Sequence, residues 1–450
     1  MKILFITNDF IVEPLGIMYL SSALKKAGHQ TDLIKADLEN IEEKVRTFSP
    51  DIIGYNVTTG QHKYFTELNL KLKNKFHFIS LFGGAHPTFF NEFIKEEGVD
   101  IICIGEGEEA IVDLADKIDQ GKDFKNIPNL WVKEKGEVIK NPVRSLVDVN
   151  SIAFPDRELI YSRYPKSYNN PIKNFIGGRG CPYNCSFCFN HCLKKVYQNN
   201  GQYVRFSSVD NLLKEILEVK NNYPLKMVYF QDDTFATQID WLEEFSEKYP
   251  KIVNLPFHCH IRANLVNEKF INLLKKAGCY GVSFAIEVAD DYLRNQVLKK
   301  NISREEIIRA AKLIKKAGIK FRIYNILGLP GSSLNTELET LKLNILCKPD
   351  LGWASIYQPY PKTELGDLCI KMGIYDGDVD KISESFFEET VLDIPDKDKI
   401  NNLQKLFSLM VSFPFLRPLI RILISFPPNI LYKKIYYFWK ERLYKKIYNL

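Results

Sequence analysis

Gly177-Gly178-Arg179-Gly180-Cys181-Pro182-Tyr183-Asn184-Cys185-Ser186-Phe187-Cys188-Phe189-Asn190 places three cysteines in a C-x3-C-x2-C spacing. Thiolates so close together can wrap a [4Fe–4S] cluster and ligate three of its irons, leaving the fourth open to a ligand that is not protein. An open iron is a site for chemistry. Other readings of the same residues stand beside this one: with Cys192, the four cysteines could close a Zn site or a fully ligated electron-transfer cluster. A disulfide framework fits poorly, since nine cysteines in 450 residues are sparse and the N-terminal residues carry no secretory pattern. A cytoplasmic protein is expected.

Working outward, the chain is long enough for roughly two to four domains, and 45% hydrophobic with 26% charged residues is ordinary for a folded protein. No apolar run reaches the ~18 residues of a membrane span. The net charge of +6 is uneven: residues 401–450 hold nine Lys/Arg against Glu441 alone, so the rest of the chain is slightly acidic. Nothing in this pattern is specific for nucleic acid.

Residues 1–125 alternate between strand and helix patterns. Lys2–Thr7 reads as a buried strand, 16–27 as a helix stopped by Gly28, and 30–34 as a strand. The pattern then gives strands at 52–57, 78–82 and 101–104, with helices at 63–76, 89–97 and 109–120. Such alternation predicts a doubly wound, Rossmann-like, mostly parallel sheet with a ligand crevice at the carboxyl ends of its strands. Three loops lie at those ends: Glu13-Pro14-Leu15-Gly16, Gly83-Gly84-Ala85-His86-Pro87-Thr88 and Gly105-Glu106-Gly107-Glu108. Their glycines let backbone approach a ligand closely. Residues 126–170 read as a short hairpin and a Pro-marked linker.

Over 171–375 the pattern gives six β/α steps, with strands at 175–178, Met227–Phe230, 257–262, 281–286, Lys320–Leu327 and 353–358. Six steps rather than eight fit a partial (β/α)6 TIM-like barrel, the fold that the resemblance given below implies, and by the barrel rule its site lies at the carboxyl ends of the strands. Those ends read Gln231-Asp232-Asp233-Thr234, Arg262, Glu287, Gly328-Leu329-Pro330-Gly331 and Gln358-Pro359-Tyr360-Pro361-Lys362. His258 and His260 alternate on one strand and so share a face.

The three-cysteine loop, with Phe187 just before Cys188, resembles the signature of the radical S-adenosylmethionine (radical SAM) superfamily. Together with the three glycine loops, it resembles the superfamily's cobalamin-binding branch. The resemblance implies a [4Fe–4S] cluster on Cys181, Cys185 and Cys188, SAM on the open iron, cobalamin in the N-terminal domain, and an electron donor such as a ferredoxin or flavodoxin. It implies cobalamin contacts from Gly16, Gly83, Gly84, His86, Pro87, Thr88, Gly105, Glu106, Gly107 and Glu108. For SAM it implies Asp232 or Asp233 at the ammonium, Glu287 at the ribose, Arg262 at the carboxylate, and Gly328 and Gly331 where backbone passes the adenine. The D-x-H-x-x-G loop that supplies an imidazole to cobalt in other cobalamin domains is absent, so no protein imidazole on cobalt is expected. His86 reads as a corrin-edge contact or a structural residue.

The implied reaction is methylation of an unactivated carbon. A cobalamin-dependent cyclization or rearrangement without methyl transfer, and a non-catalytic cobalamin or SAM sensor, are the alternatives. Residues 376–450 read as a basic helical segment in which prolines 414, 418, 427 and 428 separate short helices. Its aromatics interleave with Lys and Arg, a composition suited either to packing on the barrel or to lying on anionic lipid at the inner face of the membrane. The second use would imply a lipid-like substrate.

Overall fold

The computed structural model describes residues 1–448 except 9, 11, 37 and 38. These residues form two compact units. One comprises Met1–Arg179, Leu193–Ser207 and Glu218–Leu225; the other Gly180–Cys192, Ser208–Leu217 and Lys226–Leu450.

The first unit is built on strands β1 (Lys2–Thr7), β2 (Gln30–Lys35), β3 (Ile52–Asn56), β4 (Ile79–Gly83), β5 (Ile101–Cys103), β6 (Leu130–Glu134) and β7 (Glu137–Lys140), in the order 2-1-3-4-5-6-7. Pairing is parallel as far as β5 and antiparallel from β5 to β7. The hairpin of segment 126–170 therefore extends this sheet. Successive β1 side chains point to opposite faces, so a continuous apolar run signals burial on both. Ile3 and Phe5 pack with Met18, Leu24 and Leu114, while Leu4 and Ile6 pack with Ile41, Val45 and Phe65.

Two elements depart from the sequence reading. Helix Ile41–Phe48 was not expected, because its eight residues bury only Ile41 and Val45; its start is fixed by Asn40, which accepts from the Glu43 amide at 3.1 Å. The helix expected at 89–97 instead comprises Ala85–Phe89 and a 3-10 turn at Asn91–Lys95. The Asn91 amide donates to the carbonyls of Pro87 and Thr88 at 3.2 and 3.1 Å, a local competitor to continued helix.

After β8 (Ile172–Phe175), the short strands β9 (Gly178–Arg179) and β10 (Arg205–Phe206) pair antiparallel. The second unit contains β11 (Met227–Phe230), β12 (Phe257–His260), β13 (Cys279–Glu287), β14 (Lys320–Leu327) and β15 (Leu351–Ile356), which run side by side and parallel. Helices fill the connections between them. Arg304–Lys316 starts with a reciprocal capping box between Ser303 and Glu306.

The last residues do more than decorate the surface. Helix Lys397–Ser412 lies against β15: Gln404 Nε2 donates to the Ala354 carbonyl at 2.9 Å and Ser408 Oγ to the Gly352 carbonyl at 2.5 Å. Gly352 is required there, since a Cβ would sit 2.8 Å from Val411. An edge strand that would otherwise present open carbonyls is thereby covered. Prolines 414 and 418 leave a 3-10 turn, Pro414–Leu419, and a five-residue helix, Ile420–Ile424. Beyond Pro428 nothing breaks the pattern, and Ile430–Tyr448 is one 19-residue helix rather than a short one. Among the described residues no helix is long and apolar enough to cross a membrane.

Removing the buried donor with Gln404→Leu should leave the Ala354 carbonyl unsatisfied and lower stability by about 1–3 kcal/mol. Denaturant unfolding followed by tryptophan fluorescence checks this; an unchanged midpoint would mean that the helix does not cap β15.

Candidate functional site

The cysteine loop is held by its own backbone and by the loops of the second unit. The Ser186 amide donates to the Leu298 carbonyl at 3.1 Å, Ser186 Oγ to the Val297 carbonyl at 2.6 Å, and the Leu365 amide to the Ser186 carbonyl at 3.0 Å. The Cys188 amide closes a turn onto the Cys185 carbonyl at 3.1 Å. Phe187 packs with the cluster that includes Leu293, Leu329 and Leu365, so the aromatic before the last cysteine anchors the loop. Cys192 is turned away: it lies on helix Phe189–Val196 and its thiol donates to the Lys362 carbonyl at 3.2 Å. Among the described residues no three His, Cys, Asp or Glu side chains are placed to hold a single metal ion. Cys185 Sγ accepts from Arg262 Nη1 at 3.5 Å, and Cys181 Sγ lies 3.6 Å from Thr234 Oγ1. Burial pushes the Cys188 thiol up to about 12.

The expected SAM residues lie at the carboxyl ends of neighbouring strands, and several are already engaged. The Arg262 guanidinium stacks 3.6 Å over the Tyr183 ring, donates through Nε to Asn264 at 3.0 Å and through Nη2 to the Lys300 carbonyl. Glu287, with φ +67°, forms a buried ion pair with Lys300 at 2.6 Å. Asp232 is buried, and exposed Asp233 is hydrogen-bonded to Asn190. Gly328 and Gly331 have φ of +73° and +79°, the left-handed region that favours glycine. Glu337 holds this loop: its Oε1 accepts from the Gly328 amide at 2.9 Å and from Ser332 Oγ at 2.6 Å, while burial pushes its carboxyl up to about 7.

On the barrel's inner face, His258 stacks on Tyr229 at 4.8 Å and shares a 2.8 Å hydrogen bond with Ser283. His260 faces Tyr324 at 6.0 Å. Burial, with the Arg322 charge second, holds both imidazoles below their ordinary range, His260 at about 4, so both are neutral near pH 7. Arg322 and Tyr324 were missed by the sequence reading, although their alternation on β14 on the same face as the histidines was a usable signal.

In the first unit, Gly16, Gly83, Gly84, Gly105, Glu106, Gly107 and Glu108 line one cavity of about 320 Å³, together with Tyr19, Leu20 and Arg179. A Cβ at Gly83 would meet only Cys103 Cβ, at 3.9 Å, so the missing side chain leaves room for a ligand. Gly84 has no such latitude: a Cβ would lie 2.6 Å from Asn56 Oδ1 and 2.8 Å from the Val57 carbonyl. His86, Pro87 and Thr88 are buried but do not line the cavity. His86 stacks on His62 at 4.0 Å and bonds Thr59 at 3.1 Å; Thr88 joins two loops by donating to the Gly84 carbonyl at 2.7 Å and accepting from the Gly105 amide at 3.1 Å. Arg179 bridges Glu106 at 3.2 Å and Glu108 at 2.6 Å, and Arg205 meets both oxygens of Glu106 at 2.6 and 3.1 Å. Against burial, which acts to raise it, these arginines bring the Glu106 carboxyl below its ordinary value. Sequence reasoning found the acids but not their arginines.

Residues 175–343 match the family model of the Radical SAM superfamily. The chain is a radical SAM enzyme. Residues 1–115 match the B12 binding domain, and the chain accordingly belongs to the cobalamin-dependent branch, with a [4Fe–4S] cluster, SAM and cobalamin as its cofactors. It is similar to the uncharacterized methyltransferase PH0819 of Pyrococcus horikoshii, at 28% identity over 79% of this chain and 78% of that one. The anaerobic magnesium-protoporphyrin IX monomethyl ester cyclase of Rubrivivax gelatinosus is 27% identical over 81% of this chain and 67% of its own length. The radical SAM methyltransferase TsrM of Kitasatospora setae, solved with cobalamin and a [4Fe–4S] cluster, shares the fold at a TM-score of 0.68 and 16% identity, over 82% of this chain and 75% of that one.

Cys181→Ala, Cys185→Ala and Cys188→Ala should each abolish the cluster absorbance of anaerobically purified protein, while Cys192→Ala should retain it. Equal loss with Cys192→Ala would mean a four-cysteine cluster. The Glu337 proton gives a pH test. Its folded pKa is raised from 4.5 to about 7, so its contribution to stability is complete below about 4.5 and lost as pH rises through about 7, on the order of 3 kcal/mol. Glu337→Gln should flatten the fall in melting temperature across that window.

Proposed function

We propose that this enzyme transfers a methyl group to an unactivated carbon of a small molecule. The observation carrying the reading is the three-cysteine seat with Cys192 turned away, flanked by Asp232, Glu287 and the Gly328–Gly331 loop at the carboxyl ends of adjacent parallel strands. The relative named a methyltransferase supports the reaction class.

When bound, the cluster and SAM supply a 5′-deoxyadenosyl radical, and cobalamin carries the methyl group. The chain's own residues bind, orient and exclude water. Cys181, Cys185 and Cys188 hold the irons, and Arg262 fixes Cys185 from behind by hydrogen bond. Asp232 or Asp233 takes the SAM ammonium, the Glu287–Lys300 pair faces the ribose, and the Gly328–Gly331 loop admits the adenine. The crevice formed by Gly16, Gly83, Gly84, Gly105, Glu106, Gly107 and Glu108 takes the nucleotide tail of cobalamin, since its volume lies at the lower end of the range for drug-sized ligands. His86, Pro87 and Thr88 would support that crevice from behind. A ferredoxin- or flavodoxin-type protein would be the electron donor. The substrate reads as hydrophobic or lipid-linked, presented at the inner face of an anionic membrane that the segment 401–450 touches.

Ring formation without methyl transfer is the second reading, favoured by the relative named a cyclase. The two separate by isotope. Reduced enzyme given SAM with a deuterated methyl group and extract from cells lacking the protein should yield 5′-deoxyadenosine and a product carrying the label. Deoxyadenosine without label transfer would favour ring formation, and neither product would overturn both readings.

A further inference from the structure

The C-terminal helices present two unlike faces. On helix Ile430–Tyr448, Tyr432, Tyr436 and Leu443 are buried, and Tyr432 packs with Ile400, Leu403 and Phe407 of helix Lys397–Ser412. Away from that contact, Ile430 is 73% and Phe438 63% exposed; on the preceding turns Phe415 is 74% and Ile422 64% exposed. Of the 19 large apolar side chains exposed among the described residues, eight fall between 415 and 438. Single exposed apolar residues are ordinary on a protein surface, but such a concentration marks an interaction surface.

This surface is also held in place. Asn402 Nδ2 donates to the carbonyls of Ile424 and Phe426 at 3.2 and 2.7 Å, Tyr432 Oη donates to the Leu423 carbonyl at 2.7 Å, and Asn429 Oδ1 accepts from the Tyr432 amide at 3.0 Å. The turn at Pro427-Pro428 is thus pinned by the buried Asn402 and Tyr432 and by Asn429, while Phe426, Ile430 and Leu431 remain outside. Exposed Arg417, Arg421, Lys433, Lys434 and Arg442 stand among these residues, with Glu441 the one acid in the stretch and paired to Lys445 at 2.7 Å.

We propose that residues 415–438 form a preorganised docking surface for an anionic phospholipid bilayer, with Phe426, Ile430 and Leu431 entering the interface and the arginines and lysines meeting headgroups. The proposal deepens, and rests on, the reading of membrane contact given above. A second copy of the chain fits less well, because a twofold contact would bring these cations onto their own equivalents. An acidic bilayer complements both the charge and the apolar tip.

The full-length protein, at low salt, should co-sediment with vesicles of phosphatidylcholine and phosphatidylglycerol in equal parts and remain in the supernatant with phosphatidylcholine alone. Raising salt from about 0.05 to about 0.5 M should release it, since screening shortens the reach of the charges. Arg417→Glu, Arg421→Glu, Lys433→Glu and Lys434→Glu together should weaken binding more than about tenfold. Phe426→Ser, Ile430→Ser and Leu431→Ser together should weaken it at every salt concentration, with unchanged melting temperature because these side chains are exposed. Protein that stays in the supernatant at low salt overturns the proposal. So does a stable dimer, seen by sedimentation, that the serine variant converts to monomer without any vesicle binding. Because the assay needs no turnover, its failure leaves methyl transfer untouched, and failure of methyl transfer leaves the docking surface standing.

Discussion

For three thiols on one short loop to serve as metal ligands, they must be brought close, kept partly dry and then made anionic. Burial alone opposes the last of these, since desolvation pushes the Cys188 thiol far above neutral pH. Any metal held by this loop would have to displace protons on binding, which would link occupancy to folding of the loop. The loop is prepared by contacts that involve no cysteine side chain: the Ser186 bonds to Val297, Leu298 and Leu365, and the Phe187 ring in the apolar cluster. Arg262 adds a hydrogen bond to the Cys185 sulfur at 3.5 Å.

The same economy governs the glycine loops of the first unit. Gly84 is excluded from carrying a side chain by Asn56 and Val57, and Gly105 by the Tyr197 hydroxyl, 2.1 Å from where a Cβ would be. The loops can approach a ligand because their backbones are already packed from behind. Glu13 shows the principle at the first loop: it is buried, accepts from Arg157 at 3.2 Å and from the Asn174 amide at 3.1 Å, and also bonds the Tyr161 hydroxyl. Breaking one partner of such a buried pair leaves an uncompensated charge, which costs far more than an exposed pair contributes.

What the sequence could disclose follows from how local each signal is. Alternation of apolar runs with helical periodicity gave β1, β11 and β14 within a residue or two, because those strands are buried on both faces. The C-x3-C-x2-C spacing was legible because it lies within one loop. The partners that tune the site lie far along the chain: Arg205 is 99 residues from Glu106, and Lys300 is 13 from Glu287 across a turn. No periodicity reports such pairs. Helix Ile41–Phe48 escaped because two buried residues make too weak a pattern, and the break at Phe90 escaped because it depends on an asparagine side chain bonding its own backbone.

The tail shows why composition alone left two uses of one segment open. Aromatic and basic residues in alternation suit a helix that packs on a protein and one that lies on lipid equally well. The structure assigns them to different faces of the same elements. Gln404 and Ser408 spend their polar groups on the carbonyls of β15, and Lys405 and Lys440 lie over the Tyr436 ring, which is itself buried. Those cations are structural, and burial lowers the Lys405 ammonium to about 8. Arg417, Arg421, Lys433 and Lys434 lie outside, next to apolar side chains that the fold holds in place without covering. Removing the inner cations would disturb the edge of the barrel, while removing the outer ones, apart from the Arg421 bond to Asn335 at 2.7 Å, would change what the surface can meet.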